Sequence, residues 1–274
     1  PLDRLTFFPK QNHLCRFQCI HISPQKYGKI VDRLFCLFRT RPAEHFDRHQ
    51  GILQKMRFDL KNVRYEGPDS KNPFSFKFYN RDEKINGKKM SEHMKFALSY
   101  WHTVGQEGTD VFGGPTMSKT FGLSRPMDVY RAKADFAFAL MNALGIDYYC
   151  FHDADIAPEG KTLAESLSYF REMVEYIFGL QKEYGKKLLW ATANNFGDKK
   201  FMVGAATSAN ADVFAVAAAK VKACIDADIL LGGTGYVFWG GREGYDTLLN
   251  TDMALELDNL GRFLKMARDY GRKQ

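Results

Sequence analysis

The chain has 274 residues, 45% hydrophobic and 26% charged, enough for one large domain or two small ones around a sizeable apolar core. No run of 18 or more apolar residues occurs, and the opening Pro1–Lys10 stretch carries Asp3 and Arg4 in place of an apolar segment, so neither a membrane span nor a signal peptide is expected. The net charge of +7 does not point to a nucleic-acid partner, because residues 1–55 hold ten Lys/Arg against four Asp/Glu while the remaining 29 and 28 nearly cancel.

Residues 1–55 lack sustained periodicity and end in the His- and Arg-rich "RTRPAEHFDRHQG". They are expected to form a poorly ordered segment that does not pack with the rest, and Met56 offers an alternative natural start. Within them "HLCRFQCIH" spaces His and Cys as metal ligands could be, but no second pair of the CxxC type accompanies it. The cysteines number five, an odd count without framework spacing, which suits a reducing, cytoplasmic setting. Residues 56–90 are polar and rich in turn formers.

From about residue 91 strand and helix alternate four times. The first strand is placed near Phe96–Val104 ("FALSYWHTV"), before a Gly-rich loop. A helix follows from about Pro126 to Leu144, with Val129, Ala132, Phe136 and Leu140 spaced for one buried face. The second strand is Tyr148–Ile156, and Thr162 with Glu165 reads as a capping box. In the helix it opens, Leu163, Leu167, Phe170, Val174 and Ile177 share a face. The third strand is Lys187–Asn194, and its helix spans about Asn210–Leu230 with Val213, Ala217, Val221 and Cys224 on one side. The fourth strand is Tyr236–Gly240, and the last helix runs from about Asp252 to Tyr270 with Leu257, Leu260, Leu264 and Ala267 turned inward. Gly145, Gly185 and Gly232 stand where the first three helices should end.

Strands buried on both faces and joined by helices imply a parallel sheet, either doubly wound or part of a (β/α)8 TIM barrel. No G-x-G-x-x-G follows the first strand. Polar and aromatic residues end all four strands: Trp101-His102, His152-Asp153-Asp155, Thr192-Asn194 and Trp239. A doubly wound sheet concentrates its site at one switch point, whereas a barrel gathers it from every strand. The barrel fits better, with the first four βα units present.

Two stretches carry most of the chemistry. "YYCFHDADIAPEG" delivers His152 into a cluster with Asp153, Asp155 and Glu159, and a carboxylate beside an imidazole holds its tautomer and raises its basicity. The plainer reading is a strand-end turn with solvated acids. In "YVFWGGREGYDTLLNTD", Gly240 and Gly241 allow a tight turn, Arg242 and Glu243 could pair to brace it, and Trp239 offers a flat apolar face; a packing Trp on a structural loop is the plainer alternative.

Together with "VRYEGPDSKNPFSFKFYN" and "LLWATANNFG", in this order and spacing, these stretches resemble the xylose isomerase family, in the class with the longer N-terminal region, over about residues 56–274. The resemblance implies the N-terminal half of a TIM barrel. It implies an aldose–ketose isomerase, an intramolecular oxidoreductase converting D-xylose to D-xylulose and, more weakly, D-glucose to D-fructose. Catalysis would proceed by ring opening and a 1,2-hydride shift assisted by two divalent metal ions, magnesium or alternatively manganese or cobalt. His152 matches the proton shuttle of ring opening and Asp155 the acid that orients it. Trp190, Thr192, Phe196, Val237 and Trp239 match the sugar-binding wall, with Trp101 and His102 nearby. Phe112 matches an aromatic that reaches a neighbouring subunit's pocket, and the assembled enzyme would be a homotetramer. No residue matches a metal ligand, so these ligands are expected beyond residue 274 and the chain alone is expected to be inactive. Two further readings stay open: another sugar isomerase or epimerase barrel, and a non-catalytic half-barrel acting by binding.

Overall fold

The computed structural model describes residues 58–106, 117–244, 247, 249 and 251–274, and before them the backbone of two residues, Cys19–Ile20. The elements in chain order are β1 (Cys19–Ile20), β2 (Lys84–Ile85), β3 (Lys88–Lys89), α1 (Met90–His93), β4 (Ala97–Ser99) and a π-helical turn (Trp101–Gly105). There follow α2 (Pro126–Leu144), β5 (Tyr148–His152), α3 (Asp153–Ile156), α4 (Leu163–Tyr184), β6 (Lys187–Thr192), a 3₁₀ turn (Lys199–Phe201), α5 (Ala211–Leu230), β7 (Gly235–Val237) and α6 (Met253–Lys273).

β4, β5, β6 and β7 are parallel and lie side by side in chain order. β1 pairs antiparallel with β7, Cys19 opposite Val237 and Ile20 opposite Tyr236. The result is an α/β sheet whose sequential order is that of one side of a barrel; the described residues do not close one. Apart from it, β2 and β3 form a hairpin across Asn86-Gly87, both at positive φ, as a two-residue primed turn requires.

The long helices begin and end where local chemistry says they should. Pro126 opens α2 at its first position, where a missing N–H costs nothing. Thr162 caps α4 by accepting from the Glu165 N–H, while the Glu165 carboxylate reaches one residue further back, to the Lys161 N–H at 2.7 Å. Asn210 caps α5 and Asp252 caps α6 in the same manner. Gly145 and Gly185 end α2 and α4 in the left-handed conformation, and Gly232 adopts it just beyond α5.

The core lies between the sheet and the row of helices. Phe138, Met141, Tyr149, Phe151, Met173, Ile177 and Leu188 are completely enclosed. α2 is buried more widely than one stripe: Ala134, Ala137 and Phe138 lie deeper than Phe136 or Leu140, because the helix packs on α4 and, through Phe138 against Tyr149, on β5. In α6 the inward face is carried by Phe263 and Ala267, with Phe263 edge-on to Phe214 of α5. Leu257 is 66% exposed, against the expectation that it turns inward, since α6 meets its neighbour along the Phe263 side.

Candidate active site

The site is assembled at the C-terminal ends of the parallel strands. The stretch expected as a single first strand divides in two: β4 ends at Ser99, and Trp101–Gly105 coils into a π-helical turn closed by the Gln106 N–H on the Trp101 carbonyl at 3.1 Å. Thr103 contributes to the turn by donating its hydroxyl to the Ser99 carbonyl at 2.8 Å, and Lys119 bonds the Thr103 carbonyl at 2.9 Å. This coil carries Trp101 across to Trp190 of β6, ring centroids 5.4 Å apart, and to His152, 4.8 Å away.

His152 is the last residue of β5, and the chain turns straight into α3, so the expected second strand also ends early, at His152 in place of Ile156. The turn is held by Asp155. One of its oxygens, Oδ2, accepts from the backbone N–H of His152 at 2.7 Å and from ring Nδ1 at 2.8 Å. A carboxylate only accepts, so Nδ1 bears a proton, and in the neutral imidazole it is Nε2 that holds the lone pair. Both side chains are about nine-tenths buried. Gly105 packs against the Asp155 carboxylate, where a Cβ would lie 3.2 Å from Oδ1.

Around the imidazole stand three further rings. Trp101 and Phe196 approach it edge to face at 4.8 and 5.3 Å, and Trp190 at 6.3 Å. Phe196 passes the contact on to Trp239 at 4.2 Å. The structure therefore brings Trp101, His152, Asp155, Trp190, Phe196 and Trp239 into one continuous group. His102 is exposed and touches this group through Trp101, 5.5 Å away. Thr192 and Val237 are buried and bonded to each other, the Thr192 hydroxyl donating to the Val237 carbonyl, so they tie β6 to β7. Phe112 lies outside the described residues.

Several neighbours take partners that the sequence pattern does not reveal. Asp153 points away from His152. It accepts the Asn194 N–H at 2.7 Å and pairs with Lys220 of α5 at 3.3 Å, and Lys220 in turn donates to the Asn194 carbonyl at 2.9 Å. Asn194 folds its own side chain onto the N–H groups of Phe196 and Gly197, which turns Phe196 toward the imidazole. Glu159 pairs with Lys200 at the surface, 3.6 Å away. The expected Arg242–Glu243 pair is not formed: Arg242 is exposed, and Glu243 spends its carboxylate on the backbone N–H groups of Ala205, Ala206 and Thr207. Asp228 of α5 is buried, with the Ala191 N–H at 3.2 Å as its partner, and burial pushes its carboxyl up to about 8. Cys150 and Cys224 are buried free thiols. Among the described residues no three His, Cys, Asp or Glu side chains gather as metal ligands would, and no helix is long and apolar enough to cross a membrane.

No family model matches the chain. Among known proteins it is similar to the xylose isomerases of Brucella ovis, Brucella abortus and Brucella canis. Each is 52% identical over 215 residues, which is 78% of this chain and 49% of the relative. The chain thus spans about half the length of the relatives it matches. Identity at that level across more than two hundred residues leaves common descent as the explanation, and the chain is a homologue of the xylose isomerases.

Proposed function

We propose that residues 56–274 are the N-terminal half of a TIM-barrel aldose–ketose isomerase acting on D-xylose and, more weakly, D-glucose, and that His152 is its ring-opening residue. The observation that carries this reading is the His152–Asp155 pair set among aromatic rings. Opening a cyclic aldose moves the proton of the anomeric hydroxyl to the ring oxygen as the C1–ring-oxygen bond breaks and the C1 carbonyl forms. A base with its Nδ1–H pinned and its Nε2 lone pair available can take that proton and return it to the departing oxygen. Trp101, Trp190, Phe196 and Trp239 supply apolar surface for the sugar's C–H faces and keep water from the imidazole. Thr192 and Val237 support this wall from the strands that carry it.

The family resemblance implies divalent metal ions, which would polarise the sugar's carbonyl. The described residues do not fit that group, since they gather no ligand set, and we place its ligands in the half of the relatives that this chain does not span. Assembly as a homotetramer, with Phe112 reaching a neighbouring subunit, and a cytoplasmic setting for the reduced thiols complete the proposal.

Mutarotation tests the role of His152 without any metal. Fresh α-D-xylose reaches anomeric equilibrium through its open form, so the chain should accelerate the polarimetric decay above the buffer rate, and His152→Asn should remove the acceleration. Equal rates with and without the unmutated chain would take His152 out of the mechanism.

A further inference from the structure

We infer that Glu243 is a positioning residue for the aromatic wall: by seating its carboxylate in a cradle of three consecutive backbone N–H groups on the neighbouring loop, it holds Trp239 against Phe196. The inference rests on the reading of those rings as the sugar-facing wall.

The geometry of the cradle is specific. Oε2 of Glu243 accepts from the Ala205 N–H at 3.1 Å, the Thr207 N–H at 2.9 Å and the Thr207 hydroxyl at 2.9 Å, and Oε1 accepts from the Ala206 N–H at 2.9 Å. Successive N–H groups converging on one point form a concavity suited to an anion, and hydrogen bonds to a charged acceptor are about twice as strong as neutral ones. Here the anion comes from the chain itself, 36–38 residues away in sequence, so the bond joins the loop after β6 to the loop after β7. Gly204 at φ 101° permits the turn; a Cβ there would collide with the Thr207 hydroxyl.

Trp239 and Glu243 flank one short turn, closed by the Glu243 N–H on the Gly240 carbonyl at 3.2 Å. The indole lies over Gly241, and a Cβ at that position would run into its six-membered ring. Trp239 is 41% exposed, with Phe196 as its aromatic neighbour. A side chain so open takes its position from the backbone that bears it, and Glu243 fixes that backbone. Arg242 is exposed and plays no part in the clamp.

The test reads the ring itself. The 274-residue chain grown with 5-fluorotryptophan gives three fluorine resonances, for Trp101, Trp190 and Trp239, the last assigned by Trp239→Phe. In Glu243→Ala the Trp239 resonance should move toward that of free fluorotryptophan while the Trp190 resonance stays. Acetate should bring it back by filling the vacated cradle, and chloride at equal ionic strength should not. A Trp239 resonance unmoved in Glu243→Ala, or moved but indifferent to acetate, overturns the inference. Should Glu243→Ala lose its helical circular dichroism, Glu243→Gln decides. It sets an amide NH2 against a donor of the cradle and should shift the same resonance, and an unshifted signal overturns the inference. Because the readout needs no sugar, a failed mutarotation assay with a responsive Trp239 sinks the reading of the site and leaves the clamp. A working assay with an unmoved Trp239 does the reverse.

Discussion

Asp155 holds His152 by two hydrogen bonds to a single oxygen, one from the backbone N–H and one from the ring, so the last residue of β5 and the third residue of α3 are set in place together. Backbone turn and imidazole tautomer thus depend on one carboxylate. When the chain is completed with the C-terminal half of the Brucella ovis relative, His152→Asn should lower kcat by roughly 10²–10⁴-fold, the usual scale of acid–base catalysis. Part of the loss should return when the sugar is supplied already open. Asp155→Ala should fall in the same direction and also loosen α3. Unchanged turnover of cyclic xylose by His152→Asn would contradict the assignment.

The buried carboxyl of Asp228 makes stability depend on pH in a direction opposite to an ordinary salt-bridged acid. In the folded chain it stays protonated up to about 8, whereas in the unfolded chain it ionises near its ordinary value of 3.8. Between those values the unfolded state binds fewer protons, so stability falls as pH rises, by at most about 1.4 kcal/mol per pH unit. Below that window and above it the group contributes no slope. Asp228→Asn keeps an oxygen for the Ala191 N–H and cannot ionise. Its melting temperature should therefore gain on the parent's as pH climbs through the window. Parallel curves for the two proteins would show that Asp228 is not protonated in the fold.

Caps and core should separate by size of effect. Asn210 accepts the N–H groups of Asp212 and Val213 at 2.9 and 3.4 Å at an exposed helix start, and Asn210→Ala should cost about 1 kcal/mol. Met173 of α4 is completely buried in the core, and Met173→Ala should cost about 2–5 kcal/mol through the cavity it leaves. Urea unfolding at one temperature measures both, and a cap loss as large as the core loss would mean that α5 is held chiefly by its N-terminus.

The placement of the metal ligands proposed above, in the half of the relatives that this chain does not span, predicts that the chain alone does not convert xylose to xylulose, even with magnesium, manganese or cobalt present. The chain should also self-associate. β4 has no partner on its outer side among the described residues, and Leu249, Leu257 and Met266 present apolar surface to solvent. Sedimentation velocity and a xylulose assay on the same sample check both statements. Metal-dependent turnover would refute the first, and a concentration-independent monomer the second.

The helices were legible because their signals are local. Pro126, Thr162, Asn210 and Asp252 start them, Gly145 and Gly185 end two of them, and each signal acts within a turn of itself. The assembly of Trp101, His152, Trp190, Phe196 and Trp239 is legible for a related reason, as four of them fall at or past strand ends that a parallel sheet gathers on one side and Trp190 lies two residues before the end of β6. What stayed hidden depends on distant partners. "FALSYWHTV" reads as one strand because its apolar run continues, and the coil at Trp101 is set by Thr103 and Lys119 bonding the backbone. Leu257 and Phe263 both fit an amphipathic helix, and only the position of α5 decides which is covered. Glu243 reads as a brace from its loop position, but its partners lie beyond local pattern, since no spacing rule relates a carboxylate to amides 36–38 residues earlier.

The coil at Trp101–Gly105 also bears on recombination among relatives. It has no α-helical register, so a splice that adds or drops one residue between Ser99 and Gln106 cannot be absorbed by sliding a regular turn. Each residue of a helix rotates the next side chain by about 100°, and such a slip would swing the Trp101 indole out of line with Trp190 and His152. Exchange points placed at 120–125, past the coil and before Pro126, leave the ring contacts intact while still transferring the whole of α2 and β5.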